Sequence, residues 1–178
     1  MKIELASSYG FCFGVKRAIK IAENAKDAVT IGPIIHNNDE INRLNKNFNV
    51  KTLEGIDELK DEKKAIIRTH GITKNDLAEL KKTDIKVSDA TCPFVTKPQQ
   101  ICEKMSEEGY DVVIFGDMHH PEVKGVKSYA KGNVYVVLEE SELEGIKFKQ
   151  KVALVSQTTR KVEKFMQIAN YLMLHVKE

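Results

Sequence analysis

The chain is poor in cysteine: 178 residues hold three, Cys12, Cys92 and Cys102. Three thiols cannot build a disulfide framework. An odd count without an export signal points to reduced thiols that are buried, metal-binding or catalytic. The opening Met1-Lys2-Ile3-Glu4-Leu5 lacks the apolar stretch of a signal peptide, so the expected location is the cytoplasm. No apolar run approaches the ~20 residues of a membrane-spanning helix, which argues against a membrane role. Neither sign of charge dominates, with 28 Lys+Arg against 26 Asp+Glu, and no basic stripe stands out to argue for nucleic acid. There is no linker, low-complexity run or block of like charge. What is present is 42% hydrophobic and 30% charged residues, the usual mix of a globular chain. The length suits one domain, or two small ones, with a real core.

Short apolar runs alternate with amphipathic stretches. Strands are expected at Ile3–Ala6, Ala28–Ile31, Ala65–Thr69, Ile85–Ser88, Val112–Phe115, Asn133–Val137 and Val152–Val155. Most are continuous apolar runs, the pattern of strands buried on both faces of a parallel sheet. Helices are expected after Cys12 (Val15, Ala18, Ile19, Ala22), after Thr73 (Leu77, Leu80) and around Ile101 and Met105. The last has a stripe of Val162, Phe165, Met166, Ala169, Leu172, Met173 and Val176. The alternation predicts an α/β protein with mainly parallel sheets.

The chain also resembles itself. Cys12 and Cys92 lie 80 residues apart, each between an expected strand and an expected helix. Gly32 and Gly116 lie 84 apart, and so do His36 and His120, Asn49-Val50 and Asn133-Val134, and Glu58-Leu59 and Glu142-Leu143. Ala65-Ile66-Ile67 then matches Ala153-Leu154-Val155 at an offset of 88. The matching positions keep their order and several carry chemistry, which predicts two copies of one α/β module of roughly 85 residues. The expected division is 1–91 and 92–178.

Cys12 lies between Gly10 and Gly14, ahead of Lys16 and Arg17, where a helix start adds a positive dipole end. Cys92 precedes Pro93, a residue suited to the first helical position. From equivalent positions the two thiols could converge on one metal site, or be two separate buried cysteines. Cys102 sits mid-helix with no repeat partner and reads as a core residue, and His175 is given no role. His36, His70 and His120 follow strands, at the edge where parallel sheets bind ligands. Each alone could be an ordinary polar residue. Pro121 leaves Glu122 in a first helical turn, a common place for an acid. Thr158 in Ser156-Gln157-Thr158-Thr159 aligns with His70 in Arg68-Thr69-His70-Gly71, and could equally cap a helix.

Six segments together carry a more specific signal. Gly10-Phe11-Cys12-Phe13-Gly14-Val15, Gly32-Pro33-Ile34-Ile35-His36-Asn37, Arg68-Thr69-His70-Gly71, Asp89-Ala90-Thr91-Cys92-Pro93, His120-Pro121-Glu122-Val123 and Ser156-Gln157-Thr158-Thr159 resemble the 4-hydroxy-3-methylbut-2-enyl diphosphate reductase family. The resemblance implies a trefoil of three α/β modules around a central cavity. It implies a 4Fe–4S iron–sulfur cluster held by one cysteine per module, with Cys12 and Cys92 matching two of the ligands. His36, His70 and His120 match residues that bind the diphosphate of an allylic substrate. Glu122 matches the proton donor, and Thr158 the residue that links it to the substrate hydroxyl. The implied reaction is reductive dehydroxylation to isopentenyl and dimethylallyl diphosphates, fed by a reduced donor protein such as ferredoxin or flavodoxin.

The sequence departs from the family by stopping early. No third module or third cluster cysteine is present, so the chain is expected to be a fragment of the longer enzyme. Residues 1–8 are expected to belong to the sheet of the absent module. Two other readings remain open here: a two-module diphosphate-binding protein without a cluster, and a zinc protein, although close ligand pairs are lacking.

Overall fold

A computed structural model gives the architecture and describes residues 2–177. Met1 and Glu178, the ends of the two expected modules, lie outside the described residues. Along the chain come α1 (Phe13–Ala25), β1 (Ala28–Ile31), α2 (Asn38–Phe48), β2 (Val50–Leu53), β3 (Lys64–Ile67), α3 (Lys74–Leu80) and β4 (Lys86–Asp89). They are followed by α4 (Pro93–Glu107), β5 (Asp111–Phe115), α5 (Pro121–Tyr129), β6 (Val134–Val137), β7 (Val152–Ser156) and α6 (Val162–His175). One sheet has the order β2-β1-β3-β4 and the other β6-β5-β7, and every strand pair is parallel. The fold is α/β with parallel sheets, as the alternation predicted.

Each sheet is covered on both faces. Ala18 and Ala22 of α1 and Leu44 of α2 pack with Ala28 and Ile66 on one face of the first sheet. Val29, Ile31 and Ile67 meet Leu80 of α3 on the other. In the second sheet, Val112 and Ile114 face Cys102 of α4 and Val126 of α5, while Val113 and Phe115 face Ile168 and Leu172 of α6. This double burial explains the runs Ala-Val-Thr-Ile and Asp-Val-Val-Ile-Phe: β1 and β5 are central and buried at every position. Each large apolar side chain so removed from water stabilises the fold by roughly 1.5–3 kcal/mol.

The repeat is visible in strand register. Ala28 pairs with Val50 and Val112 with Val134, so the 84-residue offset holds through both strands. The third strand corrects the sequence match. Val29 pairs with Ala65 while its counterpart Val113 pairs with Leu154, 89 residues from Ala65. An offset of 88 would put Ala65 opposite Ala153, one residue out and on the wrong face, because side chains alternate along a strand. By register the counterpart of His70 is therefore Thr159, not Thr158.

Two further differences concern the elements. Val50–Leu53 and Asn38–Phe48, for which no strand or helix was expected, form β2 and α2. Both are surface elements with a single buried residue each, Val50 and Leu44, so their apolar signal is thin. Ile3–Ala6 was expected to be a strand and is not: it has no strand partner among the described residues, and Ile3 and Leu5 are 76% and 83% exposed. A strand forms only when a neighbour completes its hydrogen-bond ladder.

The two halves touch through α3 and α5. The Lys74 N–H donates to Ser128 Oγ at 2.9 Å, and Lys74 Nζ lies 2.6 Å from Glu103 of α4. Gly125 of α5 faces the His70 and Ile72 carbonyls of the first half, where a Cβ would stand in ordinary van der Waals contact.

Candidate active site

Cys12 and Cys92 are the residues just before α1 and α4, both in extended backbone, and neither sulfur caps its own helix. Both thiols are free and stand beside unpaired helix N–H groups and a positive dipole end. Gly14, in the first turn of α1, is buried against Cys92: a Cβ there would lie 2.6 Å from Cys92 Sγ. The Cys92 N–H donates to the Thr69 carbonyl at 2.9 Å, and the Thr69 hydroxyl donates to the Ile34 carbonyl at 2.9 Å. This chain of bonds ties the Cys92 segment to the loops carrying His70 and His36.

The three histidines meet. Ring centroids of His36 and His70 lie 4.8 Å apart, of His70 and His120 5.4 Å, and of His36 and His120 6.5 Å. His120 caps α5: its Nδ1 accepts the Glu122 backbone N–H at 3.2 Å. In the neutral ring the hydrogen must then sit on Nε2, which makes His120 a donor toward any ligand. One ligand atom from each ring lies within 4.8 Å of the others, close enough to hold a metal ion. Ligation through His120 Nε2 would, however, require Nδ1 to carry the hydrogen and release the Glu122 N–H. The cluster is better arranged to donate N–H groups to an anion. His70 is half-buried and its pKa is pushed down to about 4, first by burial and then by His36, His120 and Arg68. Its Nδ1 is buried without a hydrogen-bond partner.

Glu122 is 1% exposed, on the first turn of α5. Thr158, just past β7, takes both its oxygens: the Thr158 N–H donates to Oε1 at 2.7 Å and the hydroxyl donates to Oε2 at 2.8 Å. The contact exists because β5 and β7 are neighbours, so the loops after them lie side by side. A cavity of about 470 Å³ is lined by Cys12, Gly14, His70, Cys92, Glu122 and Thr158, among others. His36 and His120 do not line it but stand against His70, so the three rings sit at its edge.

Cys102 does not join them. It is fully buried in the core beneath α4, and burial pushes its thiol up to about 12. His175 stacks on Tyr171 at the end of α6, with centroids 4.1 Å apart. Gln157 was missed as a supporting residue. It is buried, accepts the Asp117 N–H at 3.0 Å and donates to Thr159 Oγ1 at 3.1 Å, bracing the loops that carry His120 and Thr158. Its only sequence signal was its place directly before Thr158.

Fold and cleft together define a duplicated parallel α/β protein whose strand ends pool thiols, imidazoles and one buried carboxylate. Residues 3–178 match the LytB protein family, and the chain belongs to that family. Over all 178 residues it is 96% identical to the 4-hydroxy-3-methylbut-2-enyl diphosphate reductase of Campylobacter concisus (strain 13826) and 88% identical to that of Campylobacter curvus (strain 525.92). It spans 65% of the length of each of these relatives. Among solved structures it is similar to an (E)-4-hydroxy-3-methyl-but-2-enyl diphosphate reductase described as the terminal enzyme of the non-mevalonate pathway, with TM-score 0.85 and 40% identity over 95% of this chain and 62% of that one. The E-1-hydroxy-2-methyl-but-2-enyl-4-diphosphate reductase of Plasmodium falciparum matches with TM-score 0.87 and 26% identity, over 96% and 57% of the two chains. No helix among the described residues is long and apolar enough to cross a membrane.

Proposed function

We propose that this chain supplies two of the three α/β modules of a cytoplasmic 4-hydroxy-3-methylbut-2-enyl diphosphate reductase, residues 1–91 forming the first and 92–178 the second. The observation that carries this reading is the convergence of Cys12, Cys92, His70, Glu122 and Thr158 on one cleft. In the longer relatives, a third module would close the cleft and add a third thiolate.

A 4Fe–4S cluster fits the donor set. Thiolates are its usual ligands, and Cys12 and Cys92 are free thiols at helix starts on one cavity. When bound, the cluster would deliver electrons from a reduced ferredoxin or flavodoxin and offer an open iron as a Lewis acid. The remaining work falls to side chains. His36, His70 and His120 hold the substrate diphosphate through N–H donors. Glu122 Oε1 is committed to the Thr158 N–H, so Oε2 is the oxygen that carries the proton. The Thr158 hydroxyl, both donor and acceptor, passes that proton toward the allylic hydroxyl. The balance is one C–OH bond broken, one C–H bond formed, two electrons and two protons consumed, and one water released.

The test is turnover by the complete polypeptide, purified anaerobically and supplied with a one-electron reductant, alongside iron and sulfide analysis. The expected result is a brown protein that converts the allylic diphosphate. Glu122→Gln should keep substrate affinity and lose about 10²–10⁴-fold in rate. Turnover of Glu122→Gln within about twofold of the parent would overturn the role of Glu122, and a colourless protein binding zinc would overturn the reading as a whole.

A further inference from the structure

Cys92 opens the second half of the chain, and two groups of α1 fix it: Gly14 meets its sulfur, and Arg17 holds the residues just before it. Arg17 uses both ends of its guanidinium: Nη1 donates to the Thr91 carbonyl at 3.1 Å and Nη2 to the Asp89 carbonyl at 3.2 Å. These acceptors lie one and three residues before Cys92. The carbonyls are held in place from the other side, because Asp89 Oδ1 accepts both the Thr91 N–H at 2.8 Å and the Thr91 hydroxyl at 2.5 Å. One turn before Arg17, Gly14 meets Cys92 Sγ with no room for a side chain. Arg17 thus draws the segment toward α1, and Gly14 defines how near the sulfur comes.

We infer that Arg17 and Gly14 are positioning residues that set the separation of Cys12 and Cys92, Arg17 by holding the end of the first half and Gly14 by admitting the sulfur that opens the second. A Gly at 14 is not needed for helix formation, where it costs about 1 kcal/mol against Ala. It is needed because the Cys92 sulfur occupies the space of its Cβ. Arg suits the other position because a planar fork can satisfy two carbonyls at once, which a point charge does less well. The use of that spacing in cluster binding rests on the reading proposed above, whereas the spacing itself can be measured without iron.

The test uses the reduced, metal-free chain and a two-armed bromobimane that fluoresces only when both arms have alkylated thiols. A one-armed bromobimane serves as the control for the reactivity of each thiol. Burial keeps Cys102 out of the reaction. Arg17→Met and Gly14→Ala should each slow bridging of Cys12 to Cys92 by about tenfold or more, the fall in effective concentration when two groups lose their mutual placement. One-armed labelling of each cysteine should stay at the parental rate. Bridging within about twofold of the parent in folded variants would overturn the proposal, and so would equal changes in bridging and one-armed labelling. If Arg17→Met does not fold, Gly14→Ala decides, since it retains Arg17. Loss of the fold in both would assign the pair to stability alone and overturn the proposal too.

Discussion

Thr158 grips the Glu122 carboxylate at both oxygens, with the backbone N–H on Oε1 and the hydroxyl on Oε2. The two residues are 36 apart in sequence and meet only because β5 and β7 are adjacent. Thr158→Val keeps the backbone bond and the side-chain volume but leaves Oε2 without its donor. A buried polar oxygen left unpaired costs about 1–3 kcal/mol. Chemical denaturation should show a loss of that size. In the complete polypeptide, turnover should fall by about tenfold or more with substrate affinity retained. Unchanged stability and rate would mean that water replaces the hydroxyl at no cost.

His70 makes stability depend on acid. Its pKa is lowered to about 4 in the fold, from about 6.5 in the unfolded chain. Between these values the unfolded state binds more protons, so stability rises with pH through that window. The contribution is fully present above about pH 6.5 and is lost as pH falls toward 4. The groups facing His70 electrostatically are His36, His120 and Arg68, all of which disfavour its protonation. An NMR titration should place the His70 midpoint near 4, and His70→Gln should flatten the stability profile across the window. A His70 midpoint at 6.5 would contradict the buried, neutral ring.

Gly32 should resist substitution. Its φ is +73°, a region that L side chains avoid, and a Cβ would run into the Arg68 guanidinium. Arg68 is half-buried and its Nε donates to the Gly71 carbonyl at 3.4 Å, so moving it disturbs the His70 loop as well. Gly32→Ala should cost about 1–3 kcal/mol, read as a lower urea midpoint at unchanged slope. Gly55, which has open space around it and no positive φ, should accept Ala with little change.

Thiol titration should separate the three cysteines. Cys12 is exposed and Cys92 is half-buried, so both should react with a disulfide reagent under native conditions. Cys102 should react only on unfolding, because burial both hides the thiol and raises its pKa to about 12. Cys102→Ser places a hydroxyl in an apolar core and should destabilise the fold by about 1–3 kcal/mol. Three thiols reacting at one rate in the native chain would contradict this burial.

Much of this was legible in the chain because it is written in local pattern. Continuous apolar runs marked β1, β5 and β7, and Thr73 marked the start of α3, where its hydroxyl accepts the Asp76 N–H at 3.1 Å. The motifs around Cys12, His36, His70, Cys92, Glu122 and Thr158 marked the cleft. Surface elements were harder to see. Asn38–Phe48 buries only Leu44, and its N-terminus is held by Asn37, whose side chain accepts the Glu40 N–H at 2.9 Å. Its apolar face is only Ile41, Leu44 and Phe48, a short stripe set among polar residues. Ile3–Ala6 is a different case: the side chains have the pattern of a strand, but among the described residues no neighbour supplies the hydrogen bonds, as expected of a strand assigned to the sheet of a third module.

The sequence by itself determined which segments could be central strands, which residues carry chemistry and that the chain repeats. Those follow from side-chain type and spacing, which act over a few residues. Tertiary structure alone decided the partners. It set the 89-residue offset of the third strand through parallel register, and it brought Thr158 to both oxygens of Glu122. It made His120 a donor by turning Nδ1 onto the start of α5, it placed Gly14 of one half against Cys92 of the other, and it set Arg17 on the carbonyls of Asp89 and Thr91. Each of these depends on the packing of elements distant in the chain or on the rotation of one ring. No local residue pattern encodes either, because the free energy that selects them arises only when the whole core is assembled.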